Sequence, residues 1–392
     1  MIGAHYQFST GNHLELLESG GEYFPALCEA IDSARHEIHL QTYIFEDDST
    51  GRRVAQALAG AARRGVVVHL VVDGFGARDF PETLQPALEE SGVRVRVYRP
   101  ELGRFSFRRH RLRRLHRKVA IIDGRLAFVG GINIIDDMHT PGQIPPRYDY
   151  AVAVTGPVLN DILHSCHNLL DLLDWAYLRQ HLRRPLLSPA PEKAEVVAGG
   201  MEARFVVRDN LRHRRDIEDA YLAAIETAGE EIVLANAYFL PGRRIRQALL
   251  AAAQRNVRVI LLLQGRIEYL LLYFATRALY GRLLDSGIRI FEYRRSFLHA
   301  KVAVVDGRWA TVGSSNIDPF SLLLAREANL EVRDTAFAAR LRQSLQSAMD
   351  LGAVELKSMD WKRQPLLKRF ASWSAYGLVR LMIGLSGYGA KN

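Results

Sequence analysis

One pattern occurs twice along the chain. His116-Arg117-Lys118-Val119-Ala120-Ile121-Ile122-Asp123 is followed by Gly130-Gly131-Ile132-Asn133, and His299-Ala300-Lys301-Val302-Ala303-Val304-Val305-Asp306 by Gly313-Ser314-Ser315-Asn316. Both copies read H-x-K-x4-D-x6-G-x2-N. With 13 histidines and seven lysines in 392 residues, one H-x-K-x4-D arises by chance on the order of 0.01 times. A chain that repeats such a pattern has to fold as two versions of one unit.

The flanks repeat as well. IHLQTYIF at 38–45 and IVLANAYFL at 232–240 each lie between amphipathic stretches. Buried-strand runs follow, VVVHLVVD at 66–73 and VRVILLLQ at 257–264. Short apolar strands alternating with amphipathic helices predict an α/β fold of two similar domains. Each is expected to be a mixed β-sheet flanked by helices, with the domains related by a pseudo-two-fold and the site between them. The boundaries read as 1–180, a linker at 181–200 centred on the proline-rich stretch 183–192, 201–350, and a C-terminal tail at 351–392.

In each motif the His and Lys stand two apart on a strand and so share a face. The apolar run after Lys reads as a buried strand, and Asp-Gly as a turn. A phosphodiester is a permanent anion, and this set suits its cleavage. Lys118 and Lys301 supply charge, and Asn133 and Asn316 supply donors. One neutral imidazole can attack phosphorus while a protonated one gives its proton to the leaving alcohol, so His116 and His299 need different surroundings. No cofactor and no metal are expected. The nearest candidate cluster, His164-Ser165-Cys166-His167, reads as ordinary helix.

Charge agrees with an anionic partner. The net charge is +9, carried by 45 arginines against seven lysines. Two distant cysteines, Cys28 and Cys166, argue against a disulfide framework and for a reducing, cytosolic face. The first residues carry no signal-peptide pattern.

The motif pair resembles the phospholipase D superfamily, whose signature is two such His-Lys-Asp motifs. Further stretches resemble bacterial cardiolipin synthases, nearest to their B type, which starts directly with the first catalytic domain. They are GNHLELLESGGEYFPALCEAI at 11–31, QTYIFEDD at 41–48, RDNLRHRRDIEDAYL at 208–222, NAYFLPG at 236–242 and HAKVAVVDGRWATVGSSNIDP at 299–319.

The resemblance implies a downstream carboxylate orienting each histidine: Glu327 in the second half and Asp149 in the first. It also implies a serine before the asparagine, present as Ser314 and replaced by Gly131 in the first motif. His116 is implied as the nucleophile and His299 as the acid, then base. Asp123 and Asp306, members of the motif, are expected to hold strands more than to touch phosphate. The implied reaction joins two phosphatidylglycerol molecules into cardiolipin and glycerol through a phosphatidyl-histidine. Other readings stay open: a phospholipase, transfer to another alcohol, a nuclease of the same superfamily, or an inactive membrane scaffold.

Two further surfaces point to lipid. Tyr98 and His116 are eighteen residues apart, whereas Tyr293 and His299 are six apart. The excess is an arginine-rich insertion whose Arg104, Arg108, Arg109 and Arg111 suit anionic headgroups. The stretch 370–389 carries one charge, Arg380, and reads as an interfacial helix with Trp373, Tyr376 and Arg380 near the headgroups, the alternative being a helix docked on the protein's own core. The apolar stretch 267–280 is a second candidate membrane face, with core burial as its alternative. Peripheral attachment to the cytoplasmic side of the cell membrane is expected, with no nucleic-acid partner and no protein partner deducible.

Overall fold

The computed structural model describes residues 7–100, 113–140, 144–178, 199–210, 212–362 and 365–385. The first half runs β1 (Ser9–Glu18), α1 (Ser19–Ser33), β2 (Glu37–Thr42), α2 (Ser49–Arg63), β3 (Val67–Asp73), α3 (Gln85–Glu90), β4 (Arg94–Tyr98), β5 (Lys118–Ile122), β6 (Leu126–Gly130), β7 (Tyr150–Thr155) and α4 (Leu159–Leu178). The second half follows the same order. It comprises β8 (Met201–Arg208), α5 (Asp216–Thr227), β9 (Glu231–Asn236), α6 (Arg243–Gln254), β10 (Arg258–Gln264), α7 (Leu270–Asp285), β11 (Arg289–Tyr293), β12 (Lys301–Val305), β13 (Trp309–Gly313), α8 (Pro319–Leu323), β14 (Glu327–Arg333) and α9 (Thr335–Gly352). After it come β15 (Ala353–Leu356), α10 (Ser358–Lys362) and α11 (Leu366–Leu385).

Local chemistry accounts for these elements. The α2 helix starts where the Asp48 carboxylate accepts from the Gly51 amide at 2.8 Å, and α9 starts the same way at Asp334. Position 51 admits only glycine, because a Cβ there would meet the Glu46 carbonyl at 1.8 Å. The apolar stripe Val54, Ala55, Leu58 and Ala61 turns α2 onto the sheet. Strands β2, β5 and β12 are buried along their whole length; β5 and β12 accordingly read as apolar runs after their lysines, whereas β2 buries Glu37, His39 and Gln41 as well.

The two sheets are one. Its order is β15-β11-β10-β9-β12-β13-β14-β8-β1-β7-β6-β5-β2-β3-β4, so the halves mirror each other about the antiparallel β8–β1 seam. Each half joins two parallel pairs (β2–β3–β4, β9–β10–β11) to antiparallel neighbours, the mixed sheet that was expected. A core shared by both halves lies under α4 and α9 and includes Leu16, Val152, Ile162, Phe205, Val302 and Leu341. Separate outer cores pack α1 and α2 on the first half and α5, α6 and α7 on the second.

The last segment departs from its expected role. Residue 351 lies inside α9, and β15 then adds a strand to the sheet edge beside β11, so the region from 351 is no separate tail at its start. The α11 helix packs along α7, with Val379 fully buried and Ala375 and Tyr376 against the second-half core. Tyr376, expected at the headgroups, instead turns inward, where its hydroxyl accepts from Arg246 at 3.1 Å. In α7, Ala275, Ala278, Leu279, Tyr280 and Leu283 are core, so only its start offers an open apolar face. No helix among the described residues is long and apolar enough to cross a membrane. The linker stretch 183–192 and Arg104, Arg108, Arg109 and Arg111 lie outside the described residues.

Candidate active site

Both motif histidines sit just before a central strand, His116 before β5 and His299 before β12. The segment entering each strand pairs with the opposite half. Leu115 bridges to Arg326, and the His116 amide donates to the Arg326 carbonyl at 2.9 Å. Leu298 likewise bridges to Tyr148, and the His299 amide donates to Tyr148 at 2.8 Å. Arg326 and Tyr148 immediately precede Glu327 and Asp149, so the backbone crossing hands each histidine the other half's carboxylate.

This overturns the same-half assignment. Nδ1 of His116 lies 3.0 Å from Glu327, and Nδ1 of His299 lies 2.6 Å from Asp149. Each carboxylate accepts a hydrogen bond from Nδ1–H and so leaves Nε2 as the nitrogen open to a ligand. Lys118 and Lys301 are almost wholly buried, and each donates its ammonium to the carbonyl of its own motif histidine. Lys301 also approaches Asp149 at 3.7 Å.

The half-sites differ beneath the carboxylates. Ser314 donates to Glu327 at 2.5 Å. Its counterpart Gly131 lies against Asp149, where a Cβ would come within 2.4 Å of the carboxylate. Glycine in one motif and serine in the other thus go with the shorter and longer acid. The Asn133 and Asn316 carbonyls are committed to the backbone amides of Ile44 and Tyr238, leaving their NH2 groups as the donors for a ligand.

Asp123 and Asp306 are remote from this chemistry. They end β5 and β12 with φ of 51° and 50°, about 20 Å of strand beyond the histidines. Asp123 accepts from the amides of Arg35, His36 and Glu37, and Asp306 from those of Gly229, Glu230 and Glu231. Their part is to fasten the loops entering β2 and β9.

Burial lowers the pKa of both histidines, and the neighbouring charges then separate them. At His116 the opposing pull of Glu327 outweighs the push of Lys118. At His299 the charge of Lys301 adds to burial ahead of the opposing charge of Asp149, and the pKa falls to about 3. Burial also brings Lys118 down to about 7 and lowers Lys301. For Asp149 burial works upward, but Lys301 and His299 overcome it and hold it low.

Some neighbours were not foreseen. The Tyr43 ring stands 4.9 Å from that of His116 and 5.5 Å from the Lys118 ammonium. Arg147 lines a cleft with Asn133, Asp149 and His299. Tyr43 lies within the strand-like run at 38–45, the one hint available, whereas nothing local marks Arg147. At the mouth, Tyr238 bonds Glu268, and its ring meets Tyr269 at 5.6 Å, which brings the start of α7 to the site.

His164-Ser165-Cys166-His167 does not act as a cluster. His164 is exposed and Cys166 lies in the shared core. Among the described residues the grouping with metal-ligand spacing is Glu37, His39 and His167, away from the motif histidines.

The profile of the family described as "Cardiolipin synthase, PLD-like domain" matches residues 27–141 and 221–349, once in each half. Cardiolipin synthase B of Escherichia coli K12 is 40% identical over 335 residues, 86% of this chain and 80% of that protein. Cardiolipin synthase of Oceanobacillus iheyensis is 30% identical, over 88% of this chain and 70% of that protein. Among solved structures, phosphatidylserine synthase of Haemophilus influenzae superposes with a TM-score of 0.72 at 16% identity, over 93% of this chain and 94% of that one, a likeness of fold.

Proposed function

The chain belongs to the cardiolipin synthase family of phospholipase D-like phosphatidyltransferases, and from that premise we propose that it joins two phosphatidylglycerol molecules into cardiolipin and glycerol. The observation that carries this reading is the crossed pair His116–Glu327 and His299–Asp149 with two buried lysines between them. That arrangement suits an anion that must be attacked on one side and protonated on the other.

Nε2 of neutral His116 attacks the phosphorus of the first lipid. Lys118 and Lys301 offset the charge building on the phosphoryl oxygens, with Asn133 and Asn316 as further donors. Attack leaves His116 as a cationic ring, which Glu327 stabilises across Nδ1. The bound phosphodiester anion favours a proton on His299, which is otherwise neutral; His299 gives that proton to the departing glycerol oxygen, and the P–O bond breaks as the P–N bond forms. Neutral His299 then takes the proton from a hydroxyl of the second lipid's glycerol. That oxygen displaces His116, and cardiolipin leaves. One phosphodiester replaces another, so no nucleotide is consumed.

Lipid has to reach this site from a bilayer, and the protein is read as a peripheral membrane enzyme. Ile267, Tyr269 and Leu270 are exposed at the start of α7, and Leu366, Leu367, Phe370, Trp373, Leu381 and Met382 are exposed along α11. The start of α7 lies by Tyr238 at the mouth, and α11, which packs along α7, adds Lys368, Arg369 and Arg380 for anionic headgroups.

The test is product analysis by mass spectrometry after incubation with phosphatidylglycerol liposomes. Cardiolipin with an equal amount of glycerol is expected. Phosphatidic acid as the sole product would mean that water is the acceptor, and the transfer reading would fall.

A further inference from the structure

A second cluster of ionisable side chains lies on the α4 face of the first-half sheet. Glu37 and His39 stand two apart on β2, and His167 comes from α4 above them. Each offers one ligand atom, and these atoms lie within 4.8 Å of one another. His39 and Glu37 already approach at 3.3 Å. A tetrahedral zinc with bonds near 2.0–2.1 Å needs its ligand atoms about 3.4 Å apart, so only the His167 ring has to close in.

Burial makes the arrangement costly as it stands. Glu37 is 8% exposed and His39 1% exposed. Nδ1 of His39, Nε2 of His167 and Nε2 of the neighbouring His69 all lack a hydrogen-bond partner. The His39 ring packs against His69 and His167, both at 5.1 Å between ring centres. Three imidazoles, each with an unpartnered ring nitrogen, beside a buried carboxylate are unusual contents for a packed layer between helix and sheet.

The frame around them is rigid. Arg117 ties β2 to α4 by donating to Gln41 and to Ser165. Glu37 is fixed through its amide to Asp123. The nearby positive charge of Arg96 is taken up by Asp174 at 2.6 Å. His167 is half-buried, in contrast to the nearly complete burial of Glu37 and His39.

We propose that Glu37, His39 and His167 form a structural site for a divalent metal ion of the zinc class, clamping α4 to β2. Two imidazoles and one carboxylate suit zinc and its later first-row neighbours, and suit magnesium or calcium poorly. The site takes no part in phosphoryl chemistry.

The experiment strips the full chain with chelator, adds zinc, removes the excess and counts the metal by mass spectrometry alongside a thermal melt. One zinc per chain and a raised melting temperature are expected. Glu37→Gln and His167→Gln should each weaken binding at least about tenfold. His167→Gln, half-exposed on a helix, should fold even if the buried change does not. A His116→Ala/His299→Ala chain should keep its zinc. No retained zinc, equal retention in the Gln variants, or loss with the catalytic pair instead would each overturn the proposal.

Discussion

Within one backbone plan, the two half-sites arrange the same kinds of charge differently. His116 faces Glu327, which accepts from Ser314 and is the strongest charge acting on Lys118. His299 faces Asp149, a shorter acid against the bare Cα of Gly131, with Lys301 at 3.7 Å. A positive ring is therefore better tolerated at His116, and a proton is shed more readily at His299. Duplication supplies the geometry twice, and a handful of substitutions around the carboxylates divide the labour, the usual way paired titratable groups take opposite roles.

The sharpest way to break this comparison is to remove the carboxylates. Glu327→Gln and Asp149→Asn should each cut cardiolipin formation by about 10²-fold or more, since a histidine with the wrong tautomer or no support for its cation fails. A near-normal steady-state rate in either variant would dissolve the crossed pairing. The next effect concerns the residues below. Gly131→Ser should be the more harmful exchange, because its Cβ meets Asp149 at 2.4 Å. Ser314→Gly should cost about tenfold, the loss of one hydrogen bond to a charged acceptor. Rates read together with thermal melts separate damage to the site from damage to the fold.

A pH profile sharpens the comparison further. Lys118, brought down to about 7, must be protonated to receive an anion. The kcat/KM value should fall as pH rises through that region, and Lys118→Arg should flatten the alkaline limb because its charge persists. The smallest effect is on stability. His299 is held near 3 in the folded chain against an ordinary 6.5, so between those values the unfolded chain binds the extra proton. This contribution is intact above 6.5 and drains away as pH falls toward 3. Denaturant melts of His299→Gln should show a shallower acid decline than the parent chain.

Much of this was legible in the sequence, for reasons that also mark its limits. The repeated motif, the buried strands and the order of elements are local patterns, and the mixed sheet follows from them. The carboxylate swap is not local. It depends on the Leu115–Arg326 and Leu298–Tyr148 bridges, which join segments from opposite halves. The fusion of two sheets at β1–β8 is likewise a long-range pairing. Tyr376 faced inward because α7 offered it a core, something composition alone did not show. Glu37, His39 and His167 meet only because α4 folds back over β2, and read along the chain they look unrelated.

The central claim is that His116 carries the lipid while His299 moves the proton. It is tested by mixing the enzyme with a phosphatidyl ester whose leaving group needs no acid, quenching early, and mapping the adduct by peptide mass spectrometry. His299→Ala should accumulate about one phosphatidyl group per chain on His116, and His116→Ala should show none. A stable adduct on His299 in the His116→Ala chain would reverse the roles and contradict the account.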